Sequence, residues 1–155
     1  EFGVGEWLNK HFILYAVTHN PVVGLLAAFA WATTETVFHP SYWAYIALVS
    51  VGSLAFEVGR KLRLPDEEID GVPSYSSVLG RSKAGIFLAT LSALTAGLTL
   101  WLCHTLSAEW YAYAAAVVAF VAGAVPALTG KGEKAVEGGA SLLLLGALGA
   151  AWLAV

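Results

Sequence analysis

The chain has 155 residues, 58% hydrophobic and 12% charged, with a formal net charge of −3. Water-soluble domains carry roughly a quarter of their residues as charges, so this composition excludes an ordinary soluble domain, and no nucleic-acid partner is expected. The single cysteine, Cys103, excludes an internal disulfide and a cysteine-based metal site.

The chain contains no Met and opens at Glu1-Phe2, which we read as a piece of a longer protein. Glu1 to Lys10 is short and polar with Trp7, as suits an interfacial lead-in. A first span is expected from Phe12 to Ala32, close to the twenty helical residues that cross a bilayer core of about 30 Å. Its middle holds Thr18-His19-Asn20-Pro21. Pro21 removes a backbone donor, and His19 and Asn20 are expected to face a bundle interior or a wet cavity, or else to make an interhelical hydrogen bond that only supports packing. A connector from Thr33 to Ser41 carries Glu35, His39 and Pro40 but no Lys or Arg.

The second span, Tyr42 to Val58, begins with an aromatic belt (Tyr42, Trp43, Tyr45) and ends at Glu57, Arg60 and Lys61. A charged connector over residues 60–83 follows. Within it Pro65-Asp66-Glu67-Glu68 reads as a helix start, Gly71-Val72-Pro73 as a turn, and Ser74 to Leu79 as a short helical segment. Spans three, four and five are expected at Ala84 to Cys103, Trp110 to Leu128 and Ala135 to Val155. In the last, Gly146 and Ala150 form a small-xxx-small pair that lets a neighbouring helix approach closely. With no internal repeat or linker, residues 1–155 read as one domain, an all-α polytopic transmembrane bundle of five spans.

Charge orients this bundle. Lys10 precedes span one; Arg60, Lys61, Arg63, Arg81 and Lys83 lie between spans two and three; Lys131 and Lys134 lie between spans four and five. All eight basic residues therefore fall on one side, which the positive-inside rule makes cytoplasmic, with Val155 outside. The rule does not account for Glu57, Asp66, Glu67, Glu68 and Asp70, because acids contribute little to orientation. One reading is a solvated loop with internal ion pairs such as Glu57–Lys61 at i,i+4. The other is a site for a metal-bound diphosphate. Mg²⁺ binds through one or two carboxylates plus phosphate oxygens, and Arg and Lys neutralise the remaining phosphate charge. Glu57 lies about one turn inside the span end, where a carboxylate needs a partner.

The stretch EVGRKLRLPDEEIDGVPSYSSVLG, leading into an apolar helix, resembles the second conserved segment of the UbiA superfamily of intramembrane prenyltransferases. The likeness is to a bacterial branch in which acid-x-x-Arg-Lys replaces Asp-x-x-x-Asp. The earlier LYAVTHNPVVGLLA resembles the fifth helix of that branch. The resemblance implies a nine-helix bundle of which the five spans would be helices five to nine, the C-terminal half, with the N-terminal half missing. It implies Mg²⁺-dependent transfer of a prenyl group from an isoprenyl diphosphate to a lipid-soluble or aromatic acceptor. On this chain it points to Glu57, Glu67 and Glu68 for the metal, with Asp70 a weaker candidate. Arg60, Lys61 and Arg63 would take phosphate, Tyr75 and Ser76 would lie over the site, and His19 and Asn20 would line the acceptor pocket. The chain departs from the pattern in three ways: the first acidic segment is absent, the gap from Glu57 to Glu67 and Glu68 is long, and Glu stands for Asp. Alone, such a piece is expected to be inactive. The alternative from a different class is a non-catalytic membrane scaffold or transporter subunit whose charged loop binds a partner.

Overall fold

The computed structural model describes residues 12–33 and 40–153, and these form helices and turns only. The lead-in with Trp7 and Lys10 and the connector carrying Glu35 and His39 lie outside the described residues. Six α-helices follow in order: α1 (Phe12–Ala32), α2 (Pro40–Arg60), α3 (Tyr75–Leu79), α4 (Arg81–Thr105), α5 (Trp110–Leu128) and α6 (Glu133–Leu153). A three-residue 3-10 turn, Pro65–Glu67, lies between α2 and α3. The first and fourth expected spans coincide with α1 and α5. α2 and α4 run two to three residues past the apolar runs at each end. α6 begins two residues before its expected start.

Among the described residues, α2, α4 and α5 are long and apolar enough to cross a membrane, and Asn20–Ala30 within α1 is a shorter apolar stretch. The described residues are thus all helix and turn, and these three helices mark a membrane protein. α4 and α6 pack on each other and on both α2 and α5, while α1 packs mainly along α2.

The core runs the length of the bundle. Near the charged connector Ala55, Val58, Leu62, Tyr75, Leu88, Val136 and Leu143 form one buried cluster. Toward the other end Leu48, Leu102 and Ala147 form a second, and Cys103, Ala112, Ala116 and Ala150 a third. Cys103 is wholly buried and acts as a small apolar filler. Ser92, Thr95 and Thr99 are also buried on α4, and each donates its hydroxyl to a carbonyl four residues back at 2.8–2.9 Å. Buried hydroxyls satisfied within their own helix leave no polar debt in an apolar layer.

Small residues set the α5–α6 distance. The stripe Ala112, Ala116, Ala119, Gly123 and Ala127 repeats at heptad-like spacing and is buried. Opposite it, a Cβ on Gly146 would lie 2.7 Å from the Ala119 Cβ, and one on Gly139 would run into the Ala122 carbonyl oxygen. Because the obstruction at Gly139 is backbone, no side-chain rotation relieves it. Gly139→Ala is expected to cost about 1–3 kcal/mol by overpacking, seen as a lower unfolding midpoint in detergent. Gly97→Ala, where a Cβ meets nothing within 4 Å, is expected to leave the midpoint unchanged or raise it slightly.

Candidate functional site

The last turn of α2 places three charges together. Arg60 Nη2 donates to Glu57 Oε2 at 2.9 Å, and Lys61 Nζ to Glu57 Oε1 at 2.6 Å. The i,i+3 and i,i+4 spacing puts all three on one helix face. Side-chain exposure is 24% for Glu57, 24% for Lys61 and 49% for Arg60, so Arg60 is the most accessible of the three cationic or anionic groups.

The chain then folds back over this end of the bundle. Leu62 is fully buried as a plug. On either side of it the Lys61 carbonyl accepts from the Tyr75 amide at 3.1 Å, and the Arg63 amide donates to Ser76 Oγ at 2.8 Å. These bonds hold the start of α3 against the end of α2. Ser74 caps α3: its Oγ accepts from the Ser77 amide while Ser77 Oγ accepts from the Ser74 amide, both at 2.9 Å. Ser74 Oγ also donates to Glu68 Oε1 at 2.6 Å.

Tyr75 is 3% exposed and lies in the core cluster, with its ring tilted against Phe87. Burial, reinforced by the negative charge of Glu57, pushes its phenol up to about 12. It therefore stays protonated at neutral pH.

Glu67 closes the connector onto α6. Its Oε2 accepts from the Leu64 amide at 2.9 Å and from the Glu133 amide at 2.8 Å. Amides in a first helical turn lack intrahelical partners and carry the positive end of the helix dipole. The bonds from Leu64 and Glu133 hold the Glu67 carboxyl below the usual carboxylate range. Arg63 Nε donates to Glu133 Oε2 at 3.0 Å, and Arg81 donates to the Ala127 and Lys131 carbonyls at 3.1 and 3.0 Å. Arg81 thus satisfies carbonyls at the C-terminal end of α5 and just beyond it.

Of the residues expected to act together, the structure gathers Glu57, Arg60 and Lys61, with Tyr75 close by. It turns Arg63 to Glu133, Glu67 to the start of α6 and Glu68 to Ser74. Asp70 is exposed, and Ser76 is engaged by the Arg63 amide. Glu57, Glu67 and Glu68 do not form one group able to hold a metal, and no other three His, Cys, Asp or Glu among the described residues do. Asn20 lies on α1, where its Nδ2 donates to the Ser50 carbonyl at 3.0 Å; the side chain of His19 is outside the described set. The sequence reading missed Glu133, Ser74 and the fastening role of Arg81. An acid in the first turn of an apolar helix is a recognisable start signal, and it was available at Glu133.

Comparison with family models, with characterised proteins and with solved structures finds no match to this chain.

The Glu67 contact carries a pH dependence. A carboxyl held below its ordinary value of 4.5 contributes fully above that value and loses its contribution as pH falls through the lowered one. Protection of the Leu64 and Glu133 amides from hydrogen exchange, corrected for intrinsic rates, is expected to be constant at neutral pH and to drop below about pH 4.5. In Glu67→Gln the protection should be lower and no longer change across that range.

Proposed function

We propose that this chain is the part of an intramembrane prenyltransferase that grips the diphosphate end of an isoprenyl donor. The observation that carries the reading is the Glu57–Arg60–Lys61 group at the end of an apolar helix, where the Tyr75 amide bonds the Lys61 carbonyl. A cationic head-binding group directly above an apolar bundle suits a ligand with an anionic head and a hydrocarbon tail. The likeness of residues 57–80 to the second conserved segment of that superfamily points the same way.

Arg60 is exposed enough to turn from Glu57 to a phosphate oxygen, where its planar fork gives two charge-assisted bonds. Lys61 supplies a second positive charge, and both would stabilise negative charge as the C–O bond of the donor breaks. Tyr75, kept as a neutral phenol, would offer a hydrogen-bond donor and no base. The apolar helices below would keep water from the allylic cation until an acceptor captures it. Glu57, whose two oxygens are held by Lys61 and Arg60, would serve as the single protein carboxylate on a magnesium ion completed by phosphate oxygens only once Arg60 turns to the phosphate; Glu67 and Glu68 are held by Leu64, Glu133 and Ser74. When bound, Mg²⁺ would act as a Lewis acid on the diphosphate. The proposed topology is five spans, α1, α2, α4, α5 and α6, with the charged connector cytoplasmic and the C-terminus outside.

A second reading, a non-catalytic scaffold, draws on a different observation: Arg63, Glu67, Glu68 and Arg81 all make internal bonds that lace the connectors together. Binding separates the two. Farnesyl diphosphate added to the chain in lipid nanodiscs is expected to bind in a Mg²⁺-dependent way. Glu57→Gln and Arg60→Ala should each weaken it about tenfold or more, the scale of one charge-assisted hydrogen bond. Equal affinity in wild type and both variants, or no binding with magnesium present, supports the scaffold instead.

A further inference from the structure

The connector holds one stretch that its charged network does not use. Residues 69–73, Ile-Asp-Gly-Val-Pro, are all exposed, yet the loop they form is fastened at base and tip. Across the base, Ser74 Oγ donates to Glu68 Oε1 at 2.6 Å. At the tip the Val72 amide donates to the Ile69 carbonyl at 3.0 Å. Gly71, the third residue of that turn, has φ +76°, while Asp70 before it does not enter positive φ. This is a type II turn, which needs glycine at that place and brings the Cα atoms of Ile69 and Val72 within about 7 Å of each other.

The polarity of the segment is reversed relative to a loop in water. Ile69 is 55% exposed, Val72 48% and Val78, on α3, 49%. Ser74 and Ser76 are buried, with their hydroxyls bonded to Glu68 and to the Arg63 amide; of the three serines here only Ser77 is exposed. A single exposed aliphatic side chain is ordinary. A segment that hides serines and shows Ile and Val faces something apolar.

Location decides what that is. The Tyr75 amide bonds the Lys61 carbonyl, one residue past α2, and the Tyr75 ring lies 6.4 Å from that of Phe87, in the second turn of α4. α2 and α4 are both long and apolar enough to cross a membrane, so α3 starts where two such helices reach the surface. Val72 is three residues from Tyr75, at most about 11 Å of extended chain. The headgroup layer, about 5–7 Å deep on each side of the hydrocarbon, is within reach of the loop. Lys83, Lys131 and Lys134 are exposed at the same end and complement acidic headgroups. Asp70 at the tip limits the depth, because a carboxylate keeps to headgroups and water.

We propose that residues 69–73 are a lipid anchor. Ile69 and Val72 insert side by side into the headgroup layer of the leaflet at the charged end, presented by the Glu68–Ser74 bond and the Gly71 turn. The occupant of this surface is the bilayer and not a second protein. The anchor fixes the height of the connector over the helix ends whether or not those ends receive a diphosphate.

The test uses the full chain in nanodiscs of phosphatidylcholine and phosphatidylglycerol, without magnesium or diphosphate. Val72→Cys and, as reference, Asp66→Cys are each labelled with bimane in a Cys103→Ala background; Asp66 is exposed in the same connector, ahead of the fastened loop. Aqueous iodide should quench the label at position 66 and lose most of its effect at 72. Nitroxide carried on the lipid headgroup should quench at 72 and leave 66 bright. Adding Ile69→Asp to the labelled Val72→Cys chain should restore iodide quenching, since a carboxylate beside the label opposes insertion. Equal iodide quenching at both positions would put the loop in water, open to a protein partner, and overturns the proposal; so does lipid quenching at 72 that Ile69→Asp leaves unchanged. With no diphosphate in the sample, neither result bears on the reading of the Glu57 turn.

Discussion

The Glu67 carboxylate, bonded at once to the Leu64 amide of its own loop and to the Glu133 amide that opens α6, is the interaction on which this end of the bundle depends. Both amides are orphans of short-range structure, one before a 3-10 turn and one at a helix start, and a single charged side chain satisfies them together. The tie sets where α6 begins, and so where Glu133 meets Arg63. Through Arg63 and its amide bond to Ser76, the same tie reaches the segment that follows Glu57, Arg60 and Lys61. A connector that would otherwise be a solvated strap becomes a fixed lid on four helix ends.

Below the lid the helices solve a different problem. With little hydrophobic force between helices in lipid, close packing comes from small residues, and α5 and α6 meet through Ala and Gly over most of their shared length. Hydroxyls on α4 turn inward onto their own carbonyls. The α1–α2 contact is the contrast. There, one amide crosses between the helices, from Asn20 to the Ser50 carbonyl, beside a mostly apolar notch that Pro21 and Leu54 also line.

Much of the fold was legible because helix length and apolar run nearly coincide. The ends of α1 and α5 are where the sequence changes character, at Phe12 and Ala32 and at Trp110 and Leu128. The Gly146-Ala150 pair on α6 also sits at a close contact, against Ala119 on α5 and, at Ala150, in a buried cluster. The reading was weakest in the connector. Pro65-Asp66-Glu67 does open a helical turn, but Glu67 folds back on Leu64 and the turn stops after three residues. The family resemblance is what placed Glu57 with Glu67 and Glu68. In the structure Glu67 turns to a distant partner, the Glu133 amide, and Glu68 to Ser74 within the loop, and neither pairing is announced by helical spacing. Ser50 went unremarked for the same reason: a lone serine in an apolar span gains meaning only when Asn20 of another helix faces it.

Phosphorus NMR of inorganic diphosphate titrated into nanodiscs bearing the chain, at fixed magnesium, asks most directly whether the turn at Glu57, Arg60 and Lys61 receives an anionic head. Saturable line broadening that weakens as salt is raised is the expected result, since partly exposed charges are screened. A signal indistinguishable from that with empty nanodiscs, at every magnesium and salt concentration, contradicts it.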